Sequence, residues 1–129
     1  NAALNYGYTV LRSCVCRAIT GAGLHPNIPL HHRNKYSSFR LADDIVEVFR
    51  PMVDVIAHQA NQNNELIELT PAIKANLAAV VEGKVHISNE SQTLSDAAST
   101  VTHSYLGLCK GDHKNITLPE SLGLNGMSI

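Results

Sequence analysis

Leu41-Ala42-Asp43-Asp44-Ile45-Val46-Glu47-Val48-Phe49-Arg50-Pro51-Met52 is the stretch on which the fold turns. Leu41, Ile45, Val48, Phe49, Met52 and Ile56 recur at helical spacing, which predicts an amphipathic helix from residue 41 to about residue 61 with that stripe buried. Pro51 lies inside it and is expected to kink or restart it. At about 100° per residue, Asp44 falls near the edge of the apolar stripe and Glu47 lies about 60° further round, whereas Asp43 points nearly opposite the stripe. Asp44 and Glu47 therefore share a side, an arrangement that suits two carboxylates reaching one ion. The competing reading is a solvated face on which Glu47 pairs with Arg50.

Working backwards, residues 24–40 read as a loop punctuated by Pro26 and Pro29 and carrying His31-His32-Arg33-Asn34-Lys35-Tyr36. Imidazoles and cationic side chains ahead of three carboxylates are the residue types needed to hold a divalent ion beside a nucleic-acid phosphate. Histidine ligates a transition-type ion such as Mn²⁺, and a His-Asp-Glu set also serves Zn²⁺, so spacing alone does not name the metal. His25, His58, His86, His103 and His113 have no acidic cluster near them in sequence and read as surface or satisfied core residues. Tyr36 is expected to pack on the loop.

Charge is polarised along the chain. Residues 1–40 hold Arg12, Arg17, Arg33, Lys35 and Arg40 and no acid, whereas eleven acids and five bases follow, so the formal net charge of -1 conceals a basic segment and an acidic one. Either the basic segment meets an anionic partner or the two segments pair within the fold.

With 129 residues, 44% of them hydrophobic, the chain suits one domain with a single core. It has no Trp, two Phe and four Tyr, so the core rests on Leu, Ile, Val and Ala, which favours packed helices. Cys14, Cys16 and Cys109 form no disulfide framework and read as free buried thiols of a reducing cytosol. No signal peptide or membrane span is visible, which predicts a soluble, cytoplasmic protein.

Residues 2–22 read as a helix apolar on most sides, stopped by Gly21, Gly23 and Pro26. It begins with little beyond a cap at Asn1 or Asn5, so its start is expected to lie before residue 1. A polar linker over 59–64 precedes a short extended piece over 65–69 and a helix from Pro71 to residue 81, ended by Gly83. A short strand is predicted over 84–87, then a helix through Leu94, Ala97, Ala98, Val101 and Tyr105, capped by Ser88, Asn89 or Ser91 and closed near Gly107. The last fifteen residues read as a loose tail. The fold class is mainly α, with at most a short strand or two.

The order Asn5-Tyr6-Gly7-Tyr8, Gly21-Ala22-Gly23-Leu24-His25-Pro26, His31-His32-Arg33-Asn34-Lys35-Tyr36, Leu41-Ala42-Asp43-Asp44 and Glu47-Val48-Phe49-Arg50-Pro51 resembles the C-terminal helical domain of the CRISPR-associated integrase in its type II form. This family is the universal endonuclease of spacer acquisition. Lys84-Val85-His86-Ile87 and Gln92-Thr93-Leu94-Ser95-Asp96-Ala97 extend the likeness over nearly the whole chain. Ile45-Val46 and Val48 stand where relatives often carry Leu-Met and Pro, which keeps the apolar pattern.

The resemblance implies a metal site of His32, Asp44 and Glu47 for Mg²⁺ or Mn²⁺, with His32 and Glu47 catalytic and with His31 and Asp43 as neighbouring alternatives. A glutamate from an earlier helix completes the family's site, and no acid precedes Asp43, so the N-terminal β-domain and that glutamate are expected upstream of Asn1. Residues 1–129 are accordingly expected to form a single helical catalytic-domain piece, nearly inactive by itself. The resemblance further implies insertion of spacer DNA into CRISPR arrays by transesterification, in antiviral defence, with Arg33, Lys35 and Arg40 holding DNA through phosphate contacts. The implied partners are double-stranded spacer and repeat DNA, a second copy of the chain, the small CRISPR-associated bridging dimer, and the type II effector nuclease with its accessory ring protein; a membrane is not among them. The alternative is a noncatalytic helical module for dimerisation or adaptor binding.

Overall fold

The computed structural model describes residues 2–24, 40–62, 69–112 and 115–122. Four helices and a small sheet make the fold mainly α, as the composition requires: α1 (Ala2–Gly21), α2 (Arg40–Gln62), α3 (Pro71–Ala78), which runs on as a 3₁₀ turn (Ala79–Glu82), β1 (Lys84–Ile87), β2 (Glu90–Thr93), α4 (Leu94–Lys110) and β3 (Ser121–Leu122). The expected extended piece over 65–69 falls mostly outside the described residues.

The stripe expected on α2 faces the core, with Val48 and Ile56 half-buried at its margin and the other four residues buried. Leu41, Ile45, Phe49 and Met52 join Leu11, Val15 and Ile19 of α1, Ile73 and Leu77 of α3, and Leu94, Ala98 and Val101 of α4 in one core. Burying side chains of this kind stabilises by about 1.5–3 kcal/mol each. Tyr8 and Arg12 of α1 meet Asp54 and Asp43 of α2 respectively, in reverse order along the chain, so the two helices run antiparallel. Helix α1 also touches α3 and α4 and is the central element of the bundle.

Pro51 does not restart the helix: α2 runs through it without a break, with Pro51 exposed inside it. Proline removes a single amide donor, and the apolar stripe on either side, Phe49 and Met52 among it, holds both halves to the core.

The second half departs further from its reading. β1 buries Val85 and Ile87 and exposes Lys84 and His86, and it pairs antiparallel with β2. Ser88 and Asn89 join them with φ of 55° and 63°, the left-handed pair of a two-residue hairpin turn. These two residues and Ser91 are therefore hairpin residues, and the cap of α4 is Thr93, whose hydroxyl accepts the Asp96 N–H at 3.1 Å. Helix α4 passes Gly107, which is buried, and ends at Lys110, where Gly111 takes φ of 80° and Asp112 N–H reaches the Gly107 carbonyl at 2.8 Å.

The described part of the tail, residues 115–122, is docked. β3 pairs with β1, the Glu120 N–H donates to the His86 carbonyl at 2.8 Å, and the Thr117 N–H donates to the buried Ser104 hydroxyl at 2.9 Å. Three short strands, in the order β2-β1-β3, thus stand where one or two were expected. The three cysteines are free, as expected, although only Cys14 is buried; Cys16 is half-buried and Cys109 exposed. Among the described residues no helix is long and apolar enough to cross a membrane.

Candidate functional site

The loop that carries His31, His32, Arg33, Lys35 and Tyr36 lies outside the described residues, and so does the side chain of Arg40, which opens α2. The acidic half of the expected site is described in full. Positions 43, 46, 47 and 50 of a helix fall on one face, and Asp43, Val46, Glu47 and Arg50 there form one wall of an open groove of about 380 Å³. Tyr8 and Arg12, one turn apart on α1, form the other wall.

Asp43, nearly opposite the apolar stripe by its wheel angle, is only half-exposed because Arg12 reaches across from α1 and ion-pairs with it. This contact realises part of the charge polarity within the fold. Cys16, one turn further along α1, feels both groups. Burial pushes its thiol up, the Arg12 charge works against that shift, and the Asp43 charge adds to it.

One turn back along α1 from Arg12, Tyr8 donates its hydroxyl proton to the exposed Asp54, and the Arg50 guanidinium lies 4.6 Å from the centre of the Tyr8 ring. Burial, then the Asp54 carboxylate, raises the Tyr8 phenol above its ordinary value of 10.0, with Arg50 opposing. Arg50 is therefore engaged with Tyr8, and Glu47 contributes only its charge to the field at that guanidinium.

Asp44 and Glu47 are both exposed. Asp44 does not line the groove; its charge is felt by Tyr105 of α4, whose phenol is raised by burial, then by Cys109 and Asp44. Glu47 thus stands between Asp43 on the α1 side and Asp44 on the α4 side. Exposed carboxylate oxygens one turn apart are hard donors of the kind Mg²⁺ and Mn²⁺ take, so Asp44 and Glu47 fit a partial cation site. Among the described residues no three His, Cys, Asp or Glu side chains gather closely enough to hold an ion.

Tyr8 and Arg12 were not expected at the site from the sequence. Their spacing of one helical turn, on a segment without acids, was the available signal.

The family model described as CRISPR associated protein Cas1 matches residues 1–89. The CRISPR-associated endonuclease Cas1 of Neisseria meningitidis serogroup C is 37% identical over 126 residues, which are 96% of this chain and 41% of that protein. A CRISPR-associated endonuclease Cas1 of Thermus thermophilus is 39% identical over 93 residues, 71% of this chain and 27% of the relative. One from Pyrobaculum aerophilum is 36% identical over 83 residues, 63% and 28% of the two chains. The chain therefore spans about two fifths of the length of the first of these relatives and less of the others.

Proposed function

Because the chain belongs to the Cas1 family of CRISPR-associated proteins, we propose that it forms the helical part of a metal-dependent endonuclease/integrase that inserts spacer DNA into CRISPR arrays. The observation that carries this reading is the pair of exposed carboxylates, Asp44 and Glu47, on one turn of α2 in a chain whose relatives are named endonucleases. His32, Asp44 and Glu47 are the residues that would hold Mg²⁺ or Mn²⁺.

An ion held there would supply Lewis-acid polarisation of the scissile phosphate and stabilisation of charge on the departing oxygen. The 3′-hydroxyl oxygen of the spacer bonds to a repeat phosphorus, the phosphorus bond to the repeat 3′-oxygen breaks, and that oxygen takes a proton. One phosphodiester replaces another, so ATP has no part. Arg33, Lys35 and Arg40 hold the strand by phosphate contacts that carry little sequence information. Duplex spacer and repeat DNA, a second copy of the chain, the small bridging dimer, and the type II effector nuclease with its ring-shaped accessory protein are the partners, met in the cytoplasm.

The test uses the intact parent protein. His32→Ala and Glu47→Ala abolish strand transfer without changing the melting temperature, because both remove polar groups and Glu47 is exposed on α2. Arg33→Ala leaves chemistry intact at high DNA concentration and lowers the salt slope of duplex binding by about 1. Parental rates for His32→Ala pass its role to His31; parental rates for Glu47→Ala as well favour the noncatalytic module.

A further inference from the structure

Three carboxylates crowd the start of α2, and the groove brings together a different two from the pair read off the wheel. Asp43 and Glu47, one turn apart, both face the groove, whereas Asp44 sits on the flank toward Tyr105. By position alone Asp43 is the natural companion of Glu47 for a cation. It is already paired with Arg12 from the neighbouring helix. Side chains of both partners are about half exposed, at 46% and 47%, and a pair in that setting adds little to stability. Its consequence is chemical: it neutralises one carboxylate of three.

We propose that Arg12 is a positioning residue of the metal site, one that withholds Asp43 from the ion and leaves Glu47 with Asp44 as the donors from α2. This rests on the metal reading above. Arg12 and Glu47 line the same groove, so the guanidinium also offsets the negative field that Asp43 would otherwise add beside Glu47. Without it, a cation drawn to Asp43 and Glu47 moves around the helix toward α1, away from Asp44. Binding then strengthens while strand transfer falls.

The experiment titrates Mn²⁺ into the intact parent protein without DNA, by calorimetry or by loss of the free-ion electron paramagnetic resonance signal, beside strand-transfer rates. Arg12→Met is expected to bind Mn²⁺ about 3- to 10-fold more tightly, or to take up an additional ion, because a partly screened charge has been uncovered. Asp43→Asn alone leaves the Arg12 charge uncompensated beside Glu47 and is expected to weaken Mn²⁺ binding about 3- to 10-fold, the mirror of Arg12→Met. Asp43→Asn added to Arg12→Met restores both the parental titration and most of the strand transfer, and Arg12→Lys stays near parental. A purely structural role for Arg12 would leave the double variant as impaired as Arg12→Met, and that result overturns the proposal. Mn²⁺ binding weaker than parental in the double variant overturns it too, since with both charges gone Asp43 would be missed only as a ligand. Glu47→Gln separates the two levels: an unchanged titration there removes the metal reading itself.

Discussion

Gly7 of α1 faces Val53 of α2 so closely that a methyl group at position 7 would overlap the Val53 Cγ1 atom, with Leu77 Cδ2 of α3 only 3.1 Å away. Three helices meet at this point, and the absent side chain sets how near α1 comes to α2. The groove residues Tyr8 and Arg12 follow on the same helix and reach Asp54 and Asp43 across that approach.

Gly7→Ala is therefore expected to destabilise the fold by about 1–3 kcal/mol, the usual cost of overpacking, despite alanine's better helix propensity. Thermal or urea unfolding measures it. Val53→Ala, harmful alone through its cavity, is expected to recover part of the loss when combined with Gly7→Ala, giving a non-additive cycle between the two positions.

The parts of the fold legible in the sequence were those fixed by local periodicity. The stripe of Leu41, Ile45, Phe49 and Met52 identified α2 and its buried face, and Pro71 marked the start of α3. The hairpin was half legible: Val85 and Ile87 alternate visibly, but Glu90-Ser91-Gln92-Thr93 contains no apolar residue and becomes β2 only through its backbone bonds to β1. The docked segment 115–122 depends in the same way on distant partners, His86 and Ser104. At the site, wheel angles set Asp43, Glu47 and Asp44 in their order around α2. They could not show that Arg12 occupies Asp43, since the two are far apart in sequence and meet through packing.

Where α4 begins provides a second test, because Ser91, one of the caps expected from the sequence, and Thr93, the cap observed, lie two residues apart. Thr93→Ala is expected to cost about 1 kcal/mol by leaving the Asp96 N–H without its acceptor. Ser91→Ala, on an exposed edge-strand position, is expected to change stability by less than about 0.5 kcal/mol. Paired unfolding curves for the two variants read the difference, and equal losses would mean that the capping assignment is wrong.

Tyr8 supplies the pH prediction. Burial and the Asp54 carboxylate, which accepts its hydrogen bond, raise the phenol in the folded state against the opposition of Arg50. A group that holds its proton more tightly when folded leaves stability untouched while both states are protonated; as pH rises past the unfolded value near 10, the unfolded chain releases its proton first and stability falls. Below that range Tyr8→Phe is less stable than the parent by about 0.5 kcal/mol, the low end for a hydrogen bond near the surface. Phenylalanine has no proton to lose, so the gap between variant and parent narrows as the medium moves from about pH 8 to about pH 10.5. Tyr105 also titrates high, but it is common to both proteins and cancels in the comparison. Urea midpoints at the two pH values decide the matter: a gap that widens would show that Arg50, lying over the Tyr8 ring, stabilises the phenolate more than burial and Asp54 oppose it.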